Sequence, residues 1–349
     1  MRKIRILVAD DSVVVRKMLS VELEKNVDLT VVGAAADGRI ALAKLQELNP
    51  DIVVMDINMP DMDGLTATSE IHKIYPKTPI IMMSTLTRPN ALATLEALTR
   101  GASDYVTKPE GADNSEEALA TICAELVPKI RFFGRPMTET LTPKAPVFVR
   151  KISGAVTCPE IVAIGVSTGG PTALAEVIPY LPEKFPVPIV IVQHMPPVFT
   201  TMLAERMGRD SKIKVMEGKA GQVLQPGQVY IAPGGFHMKV EKNGQRVQLS
   251  LNSDPPENFC RPAVDVLLRS VAEVYGRRVL AVIMTGMGED GKKGSQQVVN
   301  RGGKVIVQDE ASSVVWGMPG AVAKAGLAEA VLPLGKIAGY LVAACAKQT

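Results

Sequence analysis

The stretch Ile4-Arg5-Ile6-Leu7-Val8-Ala9-Asp10-Asp11-Ser12 decides how the first third of the chain folds. A short apolar run stops at a polar turn, and a segment of helical period begins at Ser12, which is the grammar of a buried strand feeding a helix. The same grammar repeats outward from it. Ile4–Ala9, Leu29–Ala34, Ile52–Asp56, Ile80–Ser84 and Asp104–Thr107 read as strands, and helices begin at Ser12, Gly38, Gly64 and Ala91, with a fifth running from Ser115 to about Ile130. Strands alternating with helices make βαβ units and a parallel sheet, so residues 1–130 are expected to form one five-stranded parallel, flavodoxin-like α/β domain.

From Phe133 to Pro159 the alternation breaks into Gly134, Pro136, Pro143, Pro146, Gly154 and Pro159 among Thr and Lys, the composition of a linker, placed at 131–157. It then resumes over 158–349 with Ile161–Val166, Ile189–Gln193 and Val279–Met284 as buried strands. Val229–Ala232 and an Asn243-Gly244 turn between alternating residues suggest an antiparallel hairpin attached to the main sheet. The expected second domain is therefore a doubly wound, mostly parallel α/β domain with one antiparallel hairpin.

Composition agrees with two such domains: 349 residues, 46% hydrophobic, 21% charged and 4% aromatic, with 29 Gly and 25 Pro for tight strand-helix turns. The net charge of +3 is spread along the chain without a Lys/Arg block, which argues against a nucleic-acid face. Cys123, Cys158, Cys260 and Cys345 lie far apart, so neither a zinc site nor a disulfide framework is indicated, and no apolar run reaches the roughly 20 residues that span a bilayer. A cytoplasmic protein without membrane insertion is expected.

Strand ends share one edge of an open parallel sheet, the edge where ligands bind. In the first domain that edge collects Asp10, Asp11, Asp56, Ser84 and Lys108. Singly, each has an ordinary role: Asp10 and Asp11 as caps before the Ser12 helix, Asp56 as a turn residue, Lys108 as a solvated lysine. Together they suit phosphoryl chemistry. Three carboxylates at one point repel unless a divalent cation with a taste for hard oxygen ligands, Mg²⁺, sits among them. Asp56 would attack the phosphoryl group while Lys108 and Ser84 contact its oxygens, and Pro109 fixes the turn that aims Lys108.

In the second domain Gly165-Val166-Ser167-Thr168-Gly169-Gly170-Pro171 follows a strand and precedes a helix, matching the G-x-S-x-G turn that projects a nucleophilic serine. A phosphate loop would need a different glycine spacing. Of three histidines, His72 falls in the first domain's third helix and His237 at the start of the hairpin, lining a cleft or serving a turn. His194 ends the Ile189–Gln193 strand and is the preferred base. An orienting carboxylate comes from Thr285-Gly286-Met287-Gly288-Glu289-Asp290-Gly291, where Glu289 and Asp290 both qualify and Asp290 also suits a helix N-cap. Backbone N–H groups near Met287 and Thr168 are candidate oxyanion donors.

Residues 1–130, with Met55-Asp56-Ile57-Asn58-Met59-Pro60-Asp61-Met62-Asp63-Gly64 at their centre, resemble the two-component response-regulator receiver. That resemblance implies a histidine kinase as phosphodonor and Asn58 as a metal ligand through its backbone. Ile164–Pro171, Gln193-His194-Met195-Pro196-Pro197, Ile231-Ala232-Pro233-Gly234-Gly235, Arg261-Pro262-Ala263-Val264-Asp265 and Met284–Gly288 resemble the chemotaxis protein-glutamate methylesterases, the CheB family. This second resemblance spans essentially the whole chain. It implies a phosphorylation-activated hydrolase of glutamate methyl esters on methyl-accepting chemotaxis receptors that also deamidates certain glutamines, a catalytic set of Ser167, His194 and Asp290 rather than Glu289, and no cofactor in the catalytic domain. Two other classes compete. A DNA-binding output would show a helical effector with a basic stripe, and a cysteine hydrolase would pair Cys260 with His237.

Overall fold

The computed structural model describes residues 2–108, 116–134 and 158–346. Pro109, the expected helix start at Ser115 and residues 135–157 of the expected linker lie outside the described residues. The chain divides into two compact units, Met1–Pro143 and Lys144–Thr349.

In the first unit β1 (Ile4–Ala9), β2 (Leu29–Ala35), β3 (Ile52–Asp56), β4 (Ile80–Thr85) and β5 (Asp104–Lys108) form one sheet in the order β2-β1-β3-β4-β5, every pairing parallel. The helices are α1 (Val13–Glu24), α2 (Gly38–Leu48), α3 (Gly64–Ile74), α4 (Arg88–Thr99) and α5 (Glu116–Phe133). This is the flavodoxin-like order, whose ligand edge is where β1 parts from β3. Three helices start where a short polar side chain takes up a free N–H: Ser12 accepts from Val15, Asp37 from Ile40 and Asp63 from Thr66. Ile6, Val8, Val54, Ile81 and Leu126 fill the core on one side of the sheet. Two boundaries differ from the sequence reading by more than one residue. α4 begins at Arg88 rather than Ala91, because Pro89 sits comfortably in a first turn. α5 runs past 130 into the expected linker, where Arg131 clamps both oxygens of Asp28 at 2.8 and 2.9 Å.

The second unit comprises β6 (Ile161–Val166), α6 (Gly170–Ala175), β7 (Ile189–Gln193), α7 (Pro197–Asp210), β8 (Lys214–Glu217), β9 (Gln228–Ile231), β10 (His237–Asn243), β11 (Arg246–Asn252), α8 (Val264–Tyr275), β12 (Val279–Ile283), α9 (Lys292–Asn300), β13 (Lys304–Gln308), α10 (Met318–Lys324), β14 (Ala330–Leu332) and α11 (Leu334–Cys345). Seven strands pair in the order β14-β13-β12-β6-β7-β9-β8, all parallel. β6 lies at the centre, buried along its whole length, as expected of a strand covered on both faces.

The hairpin exists, but not as part of that sheet. β10 and β11 pair antiparallel as a separate two-stranded sheet across a turn with Gly244 at φ 60°. The apolar face of the hairpin, Met238, Val240 and Leu249, packs into the same core as Val264, Leu267, Leu268 and Val271 of α8. Val229–Ala232, read as belonging to the hairpin, is instead β9, parallel to β7 and β8. Alternation marks which face of a strand is apolar; it does not say whether a helix or another sheet covers that face. Among the described residues no helix is long and apolar enough to cross a membrane.

Candidate active site

At the carboxyl edge of the first sheet, Lys108 Nζ donates to Asp10 Oδ2 at 2.8 Å and to Asp56 Oδ1 at 2.6 Å. Asp56 Oδ2 accepts the Asn58 N–H at 3.2 Å, and Asp10 Oδ1 accepts that of Ser12 at 2.9 Å. Asp10 and Asp56 are buried, whereas Asp11 is exposed. Burial raises the Asp56 carboxyl above its ordinary value and Lys108 pulls it back, with Asp10 and Asp11 adding to the rise. The Lys108 ammonium is held above its ordinary value, since the charges of Asp56 and Asp10 outweigh its own burial. Two carboxylates thus share one ammonium, with Asp11 exposed beside them. Among the described residues no group of three or more acidic, His or Cys side chains gathers closely enough to hold a metal ion; the Lys108 nitrogen bridges the two carboxylates that converge. Ser84 shares the edge, but its hydroxyl accepts from Thr94 Oγ1 at 2.7 Å and donates to the Thr85 carbonyl at 3.1 Å rather than meeting Asp56.

The loop after Asp56 folds back so tightly that only glycine fits at its end. A Cβ on Gly64 would stand 1.9 Å from the Asp56 carbonyl oxygen, which as backbone cannot swing aside. Gly64→Ala is accordingly expected to cost the first unit about 2–3 kcal/mol and to displace the Asp56 backbone. Urea unfolding of that unit, followed by far-UV circular dichroism, checks this; an unchanged midpoint refutes it.

In the second unit the carboxyl ends of β6, β7 and β12 bring together the three positions singled out by sequence. Ser167 leaves β6 with its N–H on the Thr285 carbonyl at 3.0 Å, Gly169 turns the chain at φ 75°, and α6 begins at once. Gly170 is tight for a concrete reason: a Cβ there would lie 1.9 Å from Gln193 Oε1. α6 has only six residues, so its dipole is a modest contributor of positive potential. His194 N–H is fixed to the Val166 carbonyl at 3.2 Å, and the ring bonds through Nε2 to Asp290 Oδ2 at 2.8 Å.

Asp290 does not cap the helix that follows it. The α9 N-cap is Gly291, without a side-chain bond. The Asp290 carboxylate reaches across to the first turn of α8 instead, accepting from the Val264 N–H at 2.7 Å and the Asp265 N–H at 3.0 Å, with the Gly291 N–H at 2.9 Å. Burial alone would raise its pKa, but the His194 bond and charge together with these backbone donors hold it below the ordinary value. His194 moves the opposite way. Burial pushes it down, and Asp290, helped by Cys260, more than reverses this and raises it. The two directions agree, as they should for a mutually stabilised ion pair. Glu289, the rival carboxylate, points to solvent and pairs with Lys292 at 3.0 Å.

The placement of Cys260 departs from the sequence reading. Cys260 faces His194, not His237: its Sγ lies 3.4 Å from His194 Nδ1, and no hydrogen bond joins Ser167 Oγ to His194. His237 is buried, accepts the Ala263 N–H at Nδ1 (3.2 Å) and therefore donates from Nε2 to the Pro255 carbonyl (3.1 Å), so it ties the hairpin to the 253–263 loop. His72 is exposed on α3. Thr168 is buried with its carbonyl accepting from Thr285 Oγ1 at 2.9 Å, and Met287 is half-buried at the turn after β12. Asn258 went unread in the sequence, and Asp265 was read only as part of the Arg261–Asp265 motif: Asn258 Nδ2 donates to Asp290 Oδ1 at 2.8 Å and to Asp265 Oδ2 at 3.0 Å. The Pro255–Pro262 stretch has no period to signal this.

Residues 162–341 match the CheB methylesterase family, and residues 6–120 match the response regulator receiver domain. The chain belongs to the CheB methylesterase family. A protein-glutamate methylesterase/protein-glutamine glutaminase of Trichodesmium erythraeum is 49% identical over 348 residues, covering 98% of this chain and 99% of its own. One of the same description from a Nocardioides species is 47% identical, covering 99% and 96%. The crystal structure of the Thermotoga maritima CheB methylesterase catalytic domain is similar at TM-score 0.52 and 46% identity, covering 54% of this chain and 99% of that one. The chain is thus a hydrolase of the CheB class with a response-regulator receiver ahead of its esterase domain.

Proposed function

We propose that the chain hydrolyses glutamate γ-methyl esters, and deamidates certain glutamines, on methyl-accepting chemotaxis receptors, and that phosphorylation of Asp56 by a histidine kinase raises this activity during chemotactic adaptation in the cytoplasm. The observation that carries the chemistry is the 2.8 Å bond between His194 and a buried Asp290 beside the Ser167 turn. Ser167 Oγ attacks the ester carbonyl and its proton passes to His194. Because Nε2 is committed to Asp290, the accepting nitrogen is Nδ1, which must exchange its Cys260 contact for Ser167 and must be unprotonated to act. The N–H groups of Thr168 and Met287 hold the developing oxyanion. Methanol leaves with the proton from Nδ1, and water releases glutamate from the acyl-enzyme; a glutamine substrate releases ammonia instead.

In the receiver, Asp56 is the phosphoacceptor, and Lys108 and Ser84 contact the phosphoryl oxygens. The hard oxygen atoms of Asp10, Asp11 and Asp56, with the Asn58 carbonyl, are the groups that would have to close in around Mg²⁺, which when bound would neutralise charge on the phosphoryl group. Methanol release from methylated chemoreceptor membranes, with and without acetyl phosphate, tests both halves. The phosphodonor is expected to raise the rate by between about 5- and 150-fold, the usual span of coupling between two sites. Asp56→Asn is expected to show no rise over its own unstimulated rate. Equal stimulation of that variant would remove Asp56 from the mechanism.

A further inference from the structure

We propose that Asn258 is a positioning residue that keeps the His194–Asp290 pair in its working charge state, an inference that rests on the reading of that pair as base and orienting carboxylate. Asp265 and Asp290 are both buried at the start of α8. Two carboxylates shut in together repel, and one tends to take up a proton. Asp265 shows the strain: burial raises its pKa and the charge of Asp290 adds to the rise, against the Gly294 N–H and Asn258 that lower it. Asn258 stands between them with one N–H on each, at 3.0 and 2.8 Å. Both hydrogens of the amide are used, and neither brings a charge. A lysine here would satisfy the carboxylates too, but its charge would compete with His194 for Asp290; a neutral donor stabilises the anion and leaves its potential to the imidazole.

The backbone holds Asn258 in place independently of its side chain. Residue 258 adopts the left-handed conformation at φ 52°, which asparagine tolerates better than most residues. Glu257 and Cys260 exchange backbone bonds at 3.1 and 3.0 Å, closing the turn around it. Arg269 grips both Glu257 oxygens at 2.6 Å. Substitutions at 258 therefore read the amide rather than the loop.

The test uses the full-length chain with acetyl phosphate at one fixed concentration, following methanol release from methylated receptor membranes across pH. Asn258→Asp is isosteric and keeps the left-handed preference while replacing two donors with a third negative charge. It is expected to lower kcat on the order of tenfold, the rate equivalent of one hydrogen bond to a charged group, with KM changed less than about twofold. The acid limb of its pH–rate profile is expected to move to higher pH, because added negative charge holds His194 protonated longer. Asn258→Gly, which suits φ 52°, is expected to move the limb the same way by less, and decides the matter if the aspartate variant fails to fold. A folded Asn258→Gly enzyme with wild-type kcat and an unmoved acid limb overturns the proposal. Failure of the underlying reading looks different: Ser167→Ala would then retain methanol release whatever stands at 258.

Discussion

Ser167→Ala is expected to reduce methanol release from methylated receptor membranes by roughly 10⁴- to 10⁶-fold, to the level that binding and oxyanion stabilisation alone provide. The hydroxyl is the group proposed to form the acyl-enzyme, and its removal leaves the turn intact. The Ser167 N–H still reaches the Thr285 carbonyl, the Gln193 amide still reaches the Ser167 carbonyl at 2.9 Å, and Gly286, whose Cβ would come within 2.8 Å of Ser167 Cβ, still packs against a methyl group. The variant should therefore unfold with the parent. A fluorophosphonate probe should label the parent at Ser167 and leave the variant unlabelled. Labelling at Cys260 would transfer the nucleophile's role to the thiol that lies against His194 Nδ1. Substantial residual turnover in a folded Ser167→Ala enzyme would exclude Ser167 outright.

Strand ends were legible because parallel sheets built from βαβ units leave little freedom. Once Ile4–Ala9, Ile52–Asp56 and Asp104–Thr107 are strands, Asp10, Asp56 and Lys108 must share an edge, and the Lys108 bridge between the two aspartates is the consequence. The same logic put Ser167 and His194 together. What it could not supply was the choice between Glu289 and Asp290, one residue apart in the same turn. That choice is made by α8, whose first two N–H groups need an acceptor and find Asp290, while Glu289 faces water. Nor could it find Asn258. A residue in an aperiodic loop acquires its partners only when β10, β11 and α8 are packed, and no local pattern records that event. Cys260 shows the same limit: the competing cysteine-hydrolase reading set it against His237, and the packed loop delivers the thiol to His194.

Asp290→Ala is expected to damage rate and stability together. Four donors besides His194 end on this carboxylate: the N–H groups of Val264, Asp265 and Gly291, and the Asn258 amide. Truncation leaves them facing a buried void, and stranding a buried charge or several donors costs about 3–5 kcal/mol. Asp290→Asn should spare part of this, since it retains one acceptor oxygen, yet still lose kcat by about 10⁴-fold, because the amide cannot stabilise the imidazolium. Its acid limb should move to lower pH, opposite in sign to the Asn258 variants, since without the carboxylate the burial that lowers His194 prevails. The pH dependence of stability follows from the same pair. Asp290 is depressed in the folded chain, so its contribution is present above its unfolded value, near 3.8, and disappears as pH falls through the folded one. His194 is raised, so its contribution is full below its unfolded value, near 6.5, and disappears as pH rises through the folded one. Both are present in full only between those two unfolded values, and there the stability gap between parent and Asp290→Asn should be widest. The chain has one tryptophan, Trp316, in the same unit, with its indole N–H on the Gln308 carbonyl at 3.0 Å. Denaturant unfolding followed by its fluorescence reads that unit alone, and a gap that stayed constant from pH 4 to pH 9 would show that His194 and Asp290 do not act as an ion pair.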